Sequence, residues 1–196
     1  LPIAHKLRLS YNTNLNTLEY KNKSILDLWK RFKTLWIRIS IDGDPNCYSY
    51  VRVGGNLKKV ENNIVKLNEL KNASISATCT VCLYNITKFV DIIDYFNSLN
   101  VYFHTSLVQY PKALNIKLLP KHLKEKVTKD FKLWLLSNQH IDPEKYRRIE
   151  KFGSNVINYM NSEDWHDQWQ SFLDYSNVLD KHHKTNLFKV YPEYDI

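Results

Sequence analysis

Four short segments of this chain alternate apolar and polar residues with period two, and the stretches between them space apolar residues as a helix does. In the first segment, Lys6 to Thr13, Leu7, Leu9 and Tyr11 alternate with Arg8, Ser10 and Asn12. In the second, Trp36 to Asp42, Ile37, Ile39 and Ile41 alternate with Arg38, Ser40 and Asp42. In the third, Ile75 to Leu83, Ile75, Ala77, Cys79 and Val81 alternate with Ser76, Thr78, Thr80 and Cys82. In the fourth, Val101 to Val108, Val101, Phe103 and Leu107 alternate with Tyr102, His104 and Ser106. Successive side chains of a strand point to opposite faces, so each segment reads as a strand with one apolar and one polar face.

Three helices are expected between these strands. Ser24 followed by Asp27 reads as a capped helix start, with Ile25, Leu28, Trp29 and Phe32 as its apolar stripe. Leu57, Val60, Ile64 and Leu67 share one face of the second helix. Thr87 can cap a third, which carries Phe89, Ile92, Ile93 and Phe96. The β-α-β-α-β-α-β order defines an α/β fold with parallel strands and right-handed crossovers. Parallel strands covered on both faces read as continuous apolar runs. Here helices can cover only the apolar face. The polar face then lines the lumen of a β/α barrel around a polar ligand, or it meets solvent as one side of an open sheet. The helical crossovers favour a partial parallel β/α barrel over residues 1–119.

Beyond Tyr110 the pattern changes. Pro111, Pro120 and Pro143 punctuate the chain, and helices are expected at 121–138, 144–161 and 164–182, making residues 120–196 a C-terminal helical segment. Trp165, Trp169, Phe172 and Leu173 form a packing stripe on the last helix. The formal charge of +8 admits an anionic partner. Its lysines and arginines, however, follow helix faces: Lys121, Lys124, Lys126, Lys129 and Lys132 on one helix, and Lys145, Arg147, Arg148 and Lys151 on the next. Such runs are ordinarily solvated faces. The 196 residues suffice for a sizeable core. No apolar run reaches the length of about 18 residues that a membrane span requires. Three cysteines and no signal-peptide pattern fit a reducing, cytoplasmic setting, and the start at Leu1, without Met, reads as that of a fragment.

Ligands of parallel β/α folds bind at the carboxyl ends of the strands. Asn12-Thr13-Asn14, Ser40-Ile41-Asp42-Gly43 and Leu83-Tyr84-Asn85 sit at three such ends, suited either to a hydroxyl-rich or amino-acid-like ligand or simply to turns and caps. Cys79-Thr80-Val81-Cys82 has zinc spacing but no second pair, and residues three apart on a strand point to opposite faces. Cys79 is therefore expected in the core and Cys82 on the polar face, with no metal site. His104, on the polar face, suits acid/base work or a structural hydrogen bond. His182 and His183 are adjacent rather than one helical turn apart, a poor pair for a metal.

These strand ends also carry a family resemblance. Ser10-Tyr11-Asn12-Thr13-Asn14, Ser40-Ile41-Asp42-Gly43, Tyr50-Val51-Arg52-Val53-Gly54 and Val60-Glu61-Asn62-Asn63-Ile64 resemble the fourth and fifth β/α units of radical S-adenosylmethionine proteins. Thr80-Val81 with Asn85 resembles the sixth. Tyr110-Pro111, Leu118-Leu119-Pro120 and the ending from Leu179 to Glu193 resemble the group with a twitch auxiliary domain. The resemblance implies that S-adenosylmethionine and a [4Fe-4S] cluster serve the complete enzyme, whose radical abstracts a substrate hydrogen. It implies that Asn12 and Asn14 approach the ribose or substrate and that Ser40 meets the polar end of the cofactor. Arg52 would pair with the methionyl carboxylate. Backbone near Val81 and Leu83 would flank the adenine beside Asn85, and Asp42 would orient the loop or a substrate group. The Cys-x3-Cys-x2-Cys motif and the Gly-Gly-Glu stretch of the family are absent from the sequence, so this chain alone is expected to hold no cluster and to need the missing N-terminal half of the barrel. The alternative is a non-catalytic α/β module that binds nucleic acid or protein through its basic helical face.

Overall fold

The computed structural model describes residues 3–99 and 101–196; Leu1 and Pro2, on which the reading of a fragment-like start falls, lie outside the described residues. Four parallel strands form one sheet: β1 (Arg8–Thr13), β4 (Thr34–Ser40), β5 (Ala73–Val81) and β6 (Tyr102–Leu107), neighbouring one another in that order. Between β1 and β4 lie a small hairpin, β2 (Glu19–Tyr20) and β3 (Lys23–Ser24), and the short helix α1 (Ile25–Trp29). Helices α2 (Tyr48–Val51) and α3 (Leu57–Asn68) join β4 to β5, and α4 (Phe89–Ser98) joins β5 to β6. The chain ends in α5 (Lys121–Ser137), α6 (Pro143–Asn161), α7 (Trp169–His183) and the single turn α8 (Leu187–Val190).

Right-handed crossovers between strands laid down in sequential order put every crossover helix on the same side of the sheet. Burial follows. Leu35, Ile37, Ile39, Ala77, Cys79, Val81 and Phe103 point to the helical side and are buried. The register pairs Asn12 with Arg38, Arg38 with Ser76, and Thr78 with His104. Asn12, Ser40, Thr80 and His104 therefore share the opposite face, as the alternation requires. That face is open among the described residues: Trp36 is 53% and Tyr102 57% exposed, and Arg8, Ser10, Arg38 and His104 are exposed as well. The four strands form an open sheet, with β1 and β6 as its edges.

Several element boundaries differ from the expected ones. Ser24 does cap α1, its hydroxyl accepting the Asp27 N–H at 3.3 Å, but the helix stops at Trp29 and leaves Leu28 exposed. The hairpin before it turns through Lys21 and Asn22, both in the left-handed region (φ 47° and 60°), a two-residue turn that suits the strand twist. Thr87 does not cap α4, which grows instead out of a 3-10 turn over Ile86–Lys88. Asn56 caps α3 by accepting the Lys59 N–H at 2.9 Å, and Asp142 caps α6 with Pro143 in its first position. Lys124, expected on a solvated face, is 5% exposed and reaches the Glu163 carbonyl and the Asp164 carboxylate.

The C-terminal helices extend the core of the sheet. Phe103 of β6 stacks on Phe96 of α4 and meets Phe152 of α6 edge-on, while Phe131 of α5 lies against Phe89. One contiguous apolar cluster runs from Leu15 to Tyr194. The end of the chain is tied to the sheet: the Tyr194 hydroxyl donates to the Leu83 carbonyl at 2.6 Å, and the Tyr191 hydroxyl donates to the Tyr84 carbonyl. No helix among the described residues is long and apolar enough to cross a membrane.

Candidate functional site

Strand β4 ends at Ser40, and the chain turns through Ile41-Asp42-Gly43-Asp44 into α2. Gly43 is required there, because a Cβ at this position would lie 2.7 Å from Cys47 Sγ and 3.0 Å from the Tyr48 nitrogen. Asp44 shapes the turn: its Oδ1 accepts the Cys47 N–H at 3.2 Å and its Oδ2 accepts from Asn46 at 2.8 Å. Asp42 reaches across to two other elements. Its Oδ1 accepts the Thr80 N–H at 2.7 Å, and its Oδ2 accepts from Arg52 Nε at 2.8 Å and Nη2 at 2.7 Å. Asn85, 1% exposed, completes the junction. Its Nδ2 donates to the Asp42 and Thr80 carbonyls, both at 2.9 Å, and its Oδ1 accepts the Cys82 N–H at 2.8 Å. Asp42, Arg52 and Asn85 thus splice the carboxyl ends of β4 and β5.

Beside this junction lies a cleft of about 520 Å³. The β1–β2 loop contributes Asn14 and Asn16; the turn and α2 contribute Asp42, Tyr48, Tyr50 and Arg52; Tyr84 follows β5; and Leu179, His183 and Thr185 come from the end of α7 and the residues after it. The Tyr48 and Tyr50 hydroxyls and Asn16 Oδ1 are buried with no hydrogen-bond partner among the described residues. Burial pushes the Tyr48 phenol above its ordinary value, the nearby Arg52 charge partly offsetting it. Burial does the same for Tyr50, with Tyr84 and Asp180 adding to the shift. Tyr50 meets Tyr84 and Tyr191 edge-on, with ring centroids 5.3 and 5.8 Å apart, so the cleft stands on a tyrosine cluster.

The sequence-derived candidates fall into three groups. Asn14, Asp42 and Arg52 line the cleft. Asn12 and Ser40 stand on the open sheet face. Val81, Leu83 and Asn85 are buried. The backbone of Leu83 is spent within the fold, its N–H on the Leu114 carbonyl and its carbonyl on Tyr194. His104 lines a shallow groove of about 280 Å³ on the open face with Trp36, Arg38, Ser76 and Tyr102. Sequence reasoning misses Asn16, Tyr48 and Thr185; it names Tyr50, Tyr84 and Leu179 only within longer stretches, and His183 only beside His182. The one legible signal is the pair of tyrosines shortly before Arg52 in the loop after the strand end.

The cysteines do not fit an iron–sulfur cluster. Cys47, Cys79 and Cys82 are all buried, including Cys82, which is expected on the polar face but lies just past the end of β5. Burial pushes the Cys47 and Cys82 thiols up to about 12 and raises Cys79 well above its ordinary value. A cluster needs thiolates that iron can reach, and these three sulfurs are enclosed within the fold. No family model matches the chain, nor does any curated protein or solved structure.

Proposed function

We propose that this chain is the C-terminal part of a radical S-adenosylmethionine enzyme. In this reading it supplies later strands of the barrel and the cleft at their carboxyl ends, while a separate segment holds the cluster. The observation that carries the reading is that Asn14, Asp42 and Arg52, taken from separate stretches of the resemblance, line one cleft at the carboxyl end of a parallel sheet. The open polar face supports it too. Parallel sheets are ordinarily covered on both faces, and further β/α units joined at the β1 and β6 edges would enclose Asn12, Ser40, Thr80 and His104 in a lumen. Asn12 and Ser40 would meet the cofactor along that face. Arg52 already holds Asp42 through Nε and Nη2, so a cofactor carboxylate would meet it at Nη1.

The basic-helix alternative draws on fewer free charges than the sequence implies, since Lys124 pairs with Asp164 and Lys126 with Asp130. The decisive test is anaerobic assay of this chain together with the cluster-bearing segment that the reading requires, with reductant and S-adenosylmethionine. The expected product is 5′-deoxyadenosine. Failure to find such a segment in the same reading frame or in an associated chain, or assembly without turnover, would count against the proposal.

A further inference from the structure

The open face of the sheet carries a second pattern. The register sets Asn12, Arg38, Ser76 and Tyr102 in one row across the four strands, and Ser40, Thr78 and His104 in the next. Trp36 lies one row toward the amino end, between Ser10 and Ser74. A cofactor at Asn12 and Ser40 would occupy the β1–β4 side of this face and leave the β5–β6 side to another ligand. There a groove of about 280 Å³ is lined by Trp36, Ser74, Ser76 and Tyr102, with Arg38 and His104 beside them. Backbones two strands apart are separated by about 10 Å, and the intervening serines are short, so a flat ring can enter between Trp36 and Tyr102. The charge of the face is one-sided. None of its strand residues is acidic. Arg8 and Arg38 are exposed on it and pair with no carboxylate among the described residues, whereas Arg52 is matched by Asp42. The Arg148 guanidinium, 4.1 Å from the centroid of Tyr102, adds positive charge at the β6 edge. Asp142 and Glu144 border the neighbouring hollow at Tyr102 together with Lys145 and Arg148, and Asp142 is engaged in capping α6. An arginine enclosed without a counter-ion is costly. Once further units close over this face, Arg38 needs an anion that the face itself does not supply. The exposed rings offer stacking surface to a planar group, and the serine hydroxyls both donate to and accept from its polar edges. A base on the rings, ribose hydroxyls on the serines and a phosphate on Arg38 would meet all three requirements.

We propose that this face binds a free nucleotide, its base against Trp36 and Tyr102 and its phosphate on Arg38, and that this nucleotide is the substrate of the assembled enzyme. The substrate role rests on the radical-enzyme reading; the binding does not, because the face is open in this chain. A groove at the small end of ligand sites takes one nucleotide, and a closed lumen gives a continuous strand no exit. The test is NMR titration of this chain with uridine 5′-monophosphate, uridine, ribose 5-phosphate and an oligouridylate. Binding is followed at the Trp36 indole N–H, which Trp36→Phe identifies. Uridine 5′-monophosphate is expected to shift this resonance saturably and to bind about tenfold more tightly than uridine, the effect of one charge-assisted hydrogen bond. It should also bind about fivefold or more tightly than ribose 5-phosphate, through stacking. Arg38→Ala is expected to abolish the preference for the monophosphate over uridine, and Tyr102→Ala to weaken both by about fivefold or more. Both side chains are exposed, so both variants should keep the wild-type melting temperature. Four results would overturn the proposal: no saturable shift; equal affinity for the monophosphate and uridine in the wild type; binding lost in Arg52→Ala but kept in Arg38→Ala, which would place the nucleotide in the other cleft; or an oligouridylate bound more than about tenfold more tightly than the monophosphate, which would assign the face to a nucleic-acid strand. Failure of the radical-enzyme reading would show differently, as absence of 5′-deoxyadenosine with nucleotide binding intact.

Discussion

Asp42 answers two demands at once, the Thr80 N–H at the end of β5 and the guanidinium of Arg52. Removing Arg52 takes one of these away from a pair that is only partly enclosed. Removing Asp42 strands a backbone donor and an arginine together. Hydrogen bonds to charged groups contribute about 1.5–3 kcal/mol each, so Arg52→Ala is expected to destabilise the fold by about 1–2 kcal/mol and Asp42→Ala by about 3 kcal/mol or more. Urea denaturation measures both, and equal losses would mean that the Thr80 contact contributes little. At this scale the sequence is partly legible. Ser40-Ile41-Asp42-Gly43 reads as a strand end, and the family resemblance implies a cofactor carboxylate as the partner of Arg52. That the first carboxylate is Asp42, ten residues back, follows from the path of the intervening turn, which periodicity does not encode. Tyr48 and Tyr50 stand out only as a pair before Arg52 and carry no helical periodicity, because a four-residue helix shows no stripe. Asn85 looks like a ligand residue because its side chain suits one. Its neighbours are the backbone groups of two strand ends.

Among the elements, the four strands are the most readable, because alternation reports directly which side is covered. Their ends are less so: β4 and β5 each stop two residues before the expected limit, where Asp42 and Asn85 take over the hydrogen bonds. The hairpin β2–β3 escapes a sequence reading because Lys21 and Asn22 are not the glycine-bearing pair that marks such turns, although asparagine tolerates the left-handed region. Whether the polar rows line a lumen or an open face cannot be read from one strand's alternation, since both arrangements bury the same residues. The open face gives an unequal pair of substitutions. Ile37→Ala, on the helical side at 1% exposure, is expected to cost about 2–5 kcal/mol. Trp36→Ser, next to it on the open face, should change the stability of the isolated chain by less than about 0.5 kcal/mol. Denaturant midpoints compare the two, and a large loss for Trp36→Ser would mean that its face is covered in solution.

For the molecule as a whole, buried thiols and phenols set an alkaline limit. Cys47 and Cys82 keep their protons to about pH 12 in the fold, whereas in the unfolded chain they lose them near the ordinary value of 9.0. Below pH 9 both states are protonated and the contribution is complete. Above it the unfolded state binds fewer protons than the native state, so stability falls as pH rises from about 9 toward 12. Tyr84, Tyr191 and Tyr194, all raised chiefly by burial, act in the same sense from about pH 10 upward. Melting temperatures across this range are expected to drop, and Cys47→Ser with Cys82→Ser should flatten the first part of the decline. The same enclosure predicts that a thiol reagent at pH 8 titrates none of the three cysteines in the folded protein and all three after denaturation.

The tyrosine anchors at the end of the chain show why the C-terminal segment belongs to the site: Tyr191 and Tyr194 hold the carbonyls of Tyr84 and Leu83, and Tyr84 lines the cleft. Only the tertiary structure brings these distant residues together. The proposal that this cleft serves S-adenosylmethionine is tested most directly by equilibrium titration of that cofactor into the assembled protein, in wild-type, Arg52→Ala and Arg52→Lys forms. A charge-assisted bond to the methionyl carboxylate is expected to make Arg52→Ala bind about ten- to a hundredfold more weakly, with Arg52→Lys recovering part of the loss because it keeps the charge without the planar guanidinium that can hold Asp42 and a second carboxylate together. Equal affinities in all three proteins, with only their stability altered, would confine Arg52 to its pairing with Asp42 and contradict the assignment of this cleft to the cofactor.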